Sequence, residues 1–228
     1  MEDDDYQEPP PPSAERVARR AIILSVITCR GMTDNDKDPG SEDLAKRSFD
    51  WLIDLGLGVE LSEWERKVLT SPFGSLTKKD VVNAGWLSEA LVVLAWALGR
   101  TNLPPFDCQC NAPEAANQLG FLLPRDETAL AEPMLLNVEK LREYNEFIYN
   151  LHWRVRDFQR AQLPYDFESL ARKAWGEPIL RHGLHLVEKD VALDGVPLSR
   201  VGEQDFRNLR SITQERHRAS NWLIGYDS

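Results

Sequence analysis

The sequence predicts a mainly α-helical protein, a single helical domain with a small β-hairpin near residues 186–198. Apolar residues recur at helical spacing through most of the chain, and capping or helix-breaking residues bracket these segments. The composition, 42% hydrophobic over 228 residues, supplies enough apolar surface for a core. Residues 1–12 differ, because they combine five carboxylates with four prolines and no base. We expect them to form a disordered acidic tail and residues 13–228 to form the domain.

Capping signals predict four helices in the first hundred residues. The last of them is apolar on nearly every side, so we expect it to be the buried centre of the fold. The expected helices are 14–30, capped by Ser13 and ended by Gly31; 41–55, capped by Ser41; 62–71, opened by the capping box Ser62 to Glu65; and 77–99, capped by Thr77.

The second half of the chain adds four helices and the hairpin. Short apolar runs lie on either side of Asp194 and Gly195, which form the expected two-residue turn, and Pro197 confines the second strand to an edge. The expected helices are a short one over 113–119, a long one from Pro133 to about Ala161, one capped by Asp166 and ended by Gly176, and a closing helix over 202–224.

Charge is unevenly distributed along the chain. Residues 1–150 carry a net charge of −11 and residues 151–228 a net charge of +1, which together give −10. A nucleic-acid surface needs clustered cations, so we expect no nucleic-acid partner. The local patch of Arg154, Arg156 and Arg160 is interpreted as a solvated helix face, because Asp157 lies among its bases.

The number of cysteines and the hydropathy of the chain predict the cellular compartment of the protein. Three cysteines and an acidic start indicate a reducing, cytoplasmic location. The most apolar run, Ala90–Leu98, is far shorter than the roughly 20 residues that cross a bilayer, so we expect no membrane partner. Cys108 and Cys110 are too closely spaced for a typical zinc site, and nothing local links them to His182 and His185. We predict no metal and no cofactor.

Three segments together carry a family resemblance. They are the stretch Trp86–Gly99, the pair Arg19 and Arg20 in the first helix, and the stretch Glu215–Leu223 in the closing helix. In this order they resemble the bacterial family catalogued as domain of unknown function 4272, over about residues 14–226. The resemblance implies a helical, cytosolic, bacterial protein with no established reaction.

Two charged residues fall on apolar helix faces. Arg216 interrupts the apolar stripe of the closing helix, and Glu89 lies among apolar residues of the central helix. An unpaired buried charge is strongly unfavourable, so we predict that Glu89 pairs with Arg216 or with Arg20 of the first helix. These charges either fix how three helices dock, which we favour, or build a ligand or catalytic site.

His217 and Asn221 lie four residues apart and therefore share one face of the closing helix. A Cys-His-Asn nucleophile would need Cys29, which we interpret as a core residue, so we assign no catalytic residue. Three tryptophans either line a pocket or, as we favour, fill the core: Trp86, Trp96 and Trp222. The candidate ligand site or polar cluster consists of Arg20, Glu89, Glu215, Arg216, His217 and Asn221.

Two functions remain open at this point. The first is a non-enzymatic protein-interaction domain, regulatory or immunity-like, whose acidic N-terminal half recognises a basic or polar protein partner. The alternative is an enzyme or small-ligand binder that uses a Glu/Arg/His cleft between helices. A pocket onto which His217, Asn221 and a carboxylate converge would favour the second, and buried, paired charges without a cavity would favour the first.

Overall fold

The computed structural model describes residues 10–175 and 183–226 and has the mainly α-helical fold that the sequence predicts. Most of the disordered tail predicted over residues 1–12, namely residues 1–9, and the predicted helix end at Gly176 lie outside the described residues. The helices are α1 (Ala14–Thr33), α2 (Gly40–Asp54), α3 (Glu63–Thr70), α4 (Lys78–Ala97), α5 (Ala112–Gln118), α6 (Val138–Ala161), α7 (Phe167–Trp175) and α8 (Glu203–Leu223). The strands are β1 (His185–Val187), β2 (Asp190–Leu193) and β3 (Val196–Pro197).

Helix α4 occupies the centre of the core, as its all-round apolar sequence predicts. It packs against α1, α5 and α8. Within the described residues, it is also the one helix whose length and composition would allow it to cross a membrane, and 56% of its apolar window is buried inside the protein. Gly31 does not end α1, which continues to Thr33. A Cβ at Gly31 would lie 2.6 Å from the Cβ of Ala84, so this glycine allows α1 and α4 to approach closely.

Side-chain caps set the start of most helices. Ser13 and Thr77 cap α1 and α4 as predicted, and the predicted capping box opens α3. Ser41 does not cap α2, because its hydroxyl donates to Asp36 and Pro39 occupies the N-cap position.

The start of α6 also differs from the prediction. The helix begins at Val138, five residues after Pro133, and Asn137 is its cap. The amide of Leu136 donates to the carbonyl of Ala97 at 2.8 Å. This bond holds the segment before α6 against the C-terminal end of α4, and α6 begins only after it.

The small sheet has three antiparallel strands in the order β1-β2-β3, one strand more than the predicted hairpin. Asp194 and Gly195 form the predicted turn with positive φ at both positions, and Pro197 lies on the edge strand β3. The additional turn consists of Glu188 and Lys189, which also have positive φ, at 54° and 68°. Neither residue type favours this conformation, so the sequence carries no signal for the turn.

Arg154 fastens the sheet to α6. Its side chain is fully buried, so the interpretation of this position as a solvated helix face is wrong. Nε and Nη2 donate to the two carboxylate oxygens of Asp190 on β2, at 2.8 and 2.6 Å. Further bonds reach Asp157 at 3.1 Å and the carbonyl of Leu163 at 2.8 Å. A saturated guanidinium of this kind holds α6, the following loop and β2 together.

Candidate functional site

The predicted buried ion pair forms between Glu89 on α4 and Arg216 on α8. The Nε of Arg216 donates to Oε2 of Glu89 at 2.8 Å, and both side chains are 1% exposed. Arg20, the other predicted partner, donates instead to Glu65 on α3. The charge interrupting the apolar stripe of α8 therefore has the partner that its burial requires.

The remaining polar atoms of this pair hold the loop over residues 103–110. The second oxygen of Glu89 accepts from the amide of Cys110 at 2.9 Å. The terminal nitrogens of Arg216 donate to three loop carbonyls, those of Pro104, Pro105 and Cys108, at 3.3, 3.0 and 2.7 Å. Because every guanidinium nitrogen and both carboxylate oxygens have partners, this cluster is architectural and leaves no polar atom for a ligand.

His217 and Asn221 face α6 on the other side of α8. The Nδ1 of His217 lies 2.8 Å from Nδ1 of His152, so one ring donates and the other accepts. The Oδ1 of Asn221 accepts from Nδ2 of Asn145 at 2.7 Å. The Nε2 of His217 is buried and has no hydrogen-bond partner within the described ranges.

Both histidines are neutral at physiological pH. Burial, together with the neighbouring His217 and Arg156, lowers the pKa of His152 to about 4. Burial also lowers the pKa of His217. A side-chain interaction with Asn221 raises this pKa, and the positive charge of Arg156 lowers it further. The pair therefore presents ring nitrogens that can donate or accept, without adding charge.

A cleft of about 640 Å³ opens beside this pair, between α6 and α8. Its lining is polar throughout and comes from one ridge of each helix, at spacings of three or four residues along it. The lining residues are His152, Arg156 and Gln159 from α6, and Arg210, Gln214, His217, Arg218 and Asn221 from α8.

The cleft is positively charged although the chain as a whole is acidic. Arg156 and Arg210 form no ion pair within the part of the chain that the structure describes, and Arg218 has its Nη1 3.6 Å from Oε2 of Glu215. The lining itself contains no carboxylate. Three guanidinium groups in one lining, two of them without an ion-pair partner among the described residues, favour the binding of an anion.

A second cavity of about 550 Å³ shares Arg210, Gln214 and Arg218 with the cleft and extends toward α3 and α4. Trp64 on α3 and Trp86 on α4 line it. Glu215 also lines it; burial raises the pKa of this carboxyl group, against the opposing effect of Arg218. Its Oε1 accepts from Nε2 of Gln214 at 3.2 Å. Its Oε2 is buried without a hydrogen-bond partner among the residues described.

Comparison with known proteins places the chain in a family. A family model described as Domain of unknown function (DUF4272) matches residues 4–171. This chain belongs to the DUF4272 family. The DUF4272 match includes Glu89, His152 and Arg156 and ends before α8, whereas the resemblance predicted from the sequence extends to about residue 226. Neither the curated proteins nor the solved structures contain a match to the chain.

The remaining sequence candidates do not join the cleft. The Cys29 thiol interacts with Ser48 on α2, and burial raises its pKa, so it has the character of an unreactive core thiol. Among residues 10–175 and 183–226, no group of three or more His, Cys, Asp or Glu side chains is placed to hold a metal ion. The three tryptophans have different surroundings: Trp86 lines the second cavity, Trp96 packs on Tyr144, and Trp222 lies beneath the guanidinium of Arg16 and lines a further cavity with it.

Sequence reasoning missed six cleft residues or assigned them no site role: His152, Arg156, Gln159, Arg210, Gln214 and Arg218. The spacing of polar residues along α6 and α8 is a sequence signal that could have identified them. Three polar residues recur at i, i+4 and i+7 on α6, and the α8 set recurs at i, i+4, i+7, i+8 and i+11. Two cationic polar ridges on long amphipathic helices therefore predict a cleft wherever those helices pack side by side.

Proposed function

We propose that this protein is a non-enzymatic binding domain whose α6–α8 cleft takes up an anionic group of the phosphate type. The observation that carries the proposal is the convergence of Arg156, Arg210 and Arg218 in a cleft with no carboxylate in its lining, within a protein of net charge −10. Guanidinium groups match phosphate oxygens through paired, charge-assisted hydrogen bonds. The unpartnered Nε2 of His217 adds a polar group that a ligand can satisfy.

The composition of the cleft supports binding over catalysis. A carboxylate beside His217 and Asn221 would favour a catalytic role for them, and the cleft lining provides none. Glu89 and Arg216, two members of the predicted candidate site, use all of their polar atoms to hold α4, α8 and a loop. The residues that remain are donors suited to holding an anion.

A second proposal retains the expected protein partner. We propose that the acidic N-terminal half recognises a basic or polar protein in the cytoplasm. The net charge of −11 over residues 1–150 supports the partner, and the free Cys29, Cys108 and Cys110 support a reducing compartment. Affinity capture from the source cell at low and high salt tests this proposal. We expect a stoichiometric basic partner that high salt releases; capture that is insensitive to salt would contradict it.

Calorimetric titration with inorganic pyrophosphate tests the anion site. We expect saturable binding to the wild-type protein, weakened about 10-fold or more by Arg156→Gln and by Arg210→Gln, because each variant removes a charge-assisted contact. Arg47→Gln is the matched control, since Arg47 is an exposed arginine on α2 that pairs with Asp43. Absence of binding to the wild type, or equal binding to Arg210→Gln and Arg47→Gln, would contradict the proposal.

A further inference from the structure

We propose that the anionic ligand of the α6–α8 cleft is a nucleoside monophosphate whose base enters the neighbouring cavity lined by Trp64, Trp86 and Glu215. This inference deepens the proposed function and rests on it, because the phosphate would occupy the cleft already described. It assigns to the second cavity the recognition of a planar ring that carries an N–H donor.

The two cavities share part of their lining along one ridge of α8. Arg210, Gln214 and Arg218 line both of them, so a ligand that contacts these side chains faces the cleft at one end and the second cavity at the other. Their volumes, about 640 and 550 Å³, are each in the range of ligand sites. A ligand with one anionic end and one ring-shaped end therefore fits the pair better than a free anion does.

Two tryptophans give the second cavity aromatic walls. Trp64 and Trp86 are both half-buried, and so keep ring surface available. The indole Nε1 of Trp64 donates to Oδ1 of Asp80 at 2.9 Å, which fixes the orientation of the ring before a ligand arrives. Stacking of a nucleobase on such a ring is favourable, because every base presents a flat aromatic face.

Glu215 supplies a polar group for recognition of the ring. Its side chain lies on the wall of the second cavity, and the residue is only 8% exposed. Gln214 satisfies one carboxylate oxygen, while the other, Oε2, lies 3.6 Å from Nη1 of Arg218 and has no donor at hydrogen-bond distance within the described part of the chain. A buried acceptor without a donor is unfavourable, and an amino or ring N–H group of a nucleobase would relieve it.

The chemistry at the two ends is complementary. Guanidinium groups at the cleft end match a phosphate, and an aromatic pocket with a carboxylate at the other end matches a ring with hydrogen-bond donors. An uncharged aromatic ring leaves the arginines without a counter-charge, and inorganic phosphate leaves Glu215 and the tryptophans unused. The observations therefore favour a ligand that combines both parts.

Calorimetric titration with three probes tests this inference: inorganic phosphate, adenosine and adenosine monophosphate. We expect adenosine monophosphate to bind about 10-fold or more tightly than phosphate, since stacking of about 1.4 kcal/mol corresponds to tenfold in affinity. Trp86→Leu should remove most of this advantage and leave phosphate binding unchanged. Glu215→Gln also removes the ion-pair partner of Arg218, so it is judged by the ratio of the two affinities, which should fall. Trp51→Leu on α2 is the matched control, because Trp51 packs on Phe121 and lines neither cavity.

A second variant, which leaves the core residues unchanged, separates a loss of binding from a loss of folding. Ser211→Trp places a bulky side chain into the second cavity from α8 without removing a packed residue, and it should block adenosine monophosphate but not phosphate. Phosphate binding with no gain for adenosine monophosphate, or a gain that survives both Ser211→Trp and Trp86→Leu, would overturn the inference and leave the anion site standing. Absence of binding by every probe would overturn the anion site and the inference together.

Discussion

Arg216 and Arg218 are two residues apart on α8, yet Arg216 lies in a region whose charges are balanced and Arg218 in one with an excess of positive charge. Arg216 is buried against Glu89, and each of its nitrogens has an acceptor within the fold. Arg218 lines the α6–α8 cleft with two further arginines and no carboxylate in the lining. Residue type alone therefore does not separate arginines that hold the fold together from arginines that line a cavity in this protein. Arginines whose hydrogen-bond donors are all used within the fold hold helices together. Arginines in the cleft keep donors available to a ligand.

Helix α6 repeats the same division. Arg154 is saturated by Asp190 and the loop after α6, whereas Arg156, two residues later, faces the cleft without an ion-pair partner among the residues described. The two saturated arginines fasten α6 and α8 to other elements. The cleft arginines then occupy the ridges along which α6 and α8 meet.

The largest effect that we expect is the loss of the central buried pair. Arg216→Met leaves Glu89 buried without a counter-charge and three loop carbonyls without a donor, so the free energy of unfolding should fall by about 3–5 kcal/mol. Urea denaturation measures this change. Arg218→Gln, on the same helix, is the control and should change stability by less than about 0.5 kcal/mol. A loss below about 1 kcal/mol for Arg216→Met would remove the distinction between the two regions.

A somewhat smaller effect is expected at the pair that anchors the sheet. Asp190→Asn removes the charge opposite Arg154 but keeps one acceptor, and we expect a loss of about 2–3 kcal/mol. Hydrogen exchange should show faster opening of β1 and β2, while α1 and α4 keep their protection. Asp194→Asn, in the exposed turn, is the control. Equal protection of the sheet in both variants would contradict the anchoring role of Arg154.

The histidine pair predicts a pH dependence. His152 has a folded-state pKa of about 4, below its ordinary value near 6.5, so the unfolded chain binds more protons between these values. Its contribution to stability is therefore fully present above about pH 6.5 and is lost as the pH falls toward about 4. We expect a loss of about 1–2 kcal/mol across this window, because solvent partly screens the half-buried ring.

Denaturation curves of the wild type and of His152→Gln across this pH range measure that contribution. The difference in stability between the two proteins should change with pH, and His185→Gln, at an exposed position on β1, should show no such change. Parallel curves for wild type and His152→Gln would contradict a neutral, buried His152.

The smallest effect is expected for the cleft arginines in the absence of ligand. Arg156→Gln and Arg210→Gln remove no ion pair of the described structure, so the free energy of unfolding should change by less than about 0.5 kcal/mol. Urea midpoints at fixed salt measure this. A loss above about 1 kcal/mol would place these residues with Arg154 and Arg216 in the architecture.

Part of this organisation follows from the sequence. Local sequence determines where α1, α3 and α4 begin. The caps are Ser13, Ser62 and Thr77, and each lies three residues before the amide that it caps. The pairing of Arg216 with Glu89 was also predictable, because a charge in the middle of an apolar stripe must find a partner. The partner could not be fixed uniquely, since Arg20 met the same description.

Other features depend on tertiary contacts that leave no local trace. Arg154 lies beside Asp157 and near other bases, which is the pattern of a solvated face, and its partner Asp190 is 36 residues away. The cleft depends on α6 and α8 packing antiparallel, with His152 opposite His217 and Asn145 opposite Asn221. The sequence shows each polar ridge separately. The two ridges lie side by side only because α6 and α8 both pack on the core.

Ligand-linked stability tests the central claim most directly. The urea midpoints of the wild type and of the Arg156→Gln/Arg210→Gln double variant are measured with and without inorganic pyrophosphate. We predict equal stability without ligand, a gain of about 2.7 kcal/mol for the wild type when the ligand is at a hundred times its Kd, and little or no gain for the variant. An equal gain in both proteins, or no gain in either, would contradict the assignment of the α6–α8 cleft as an anion site.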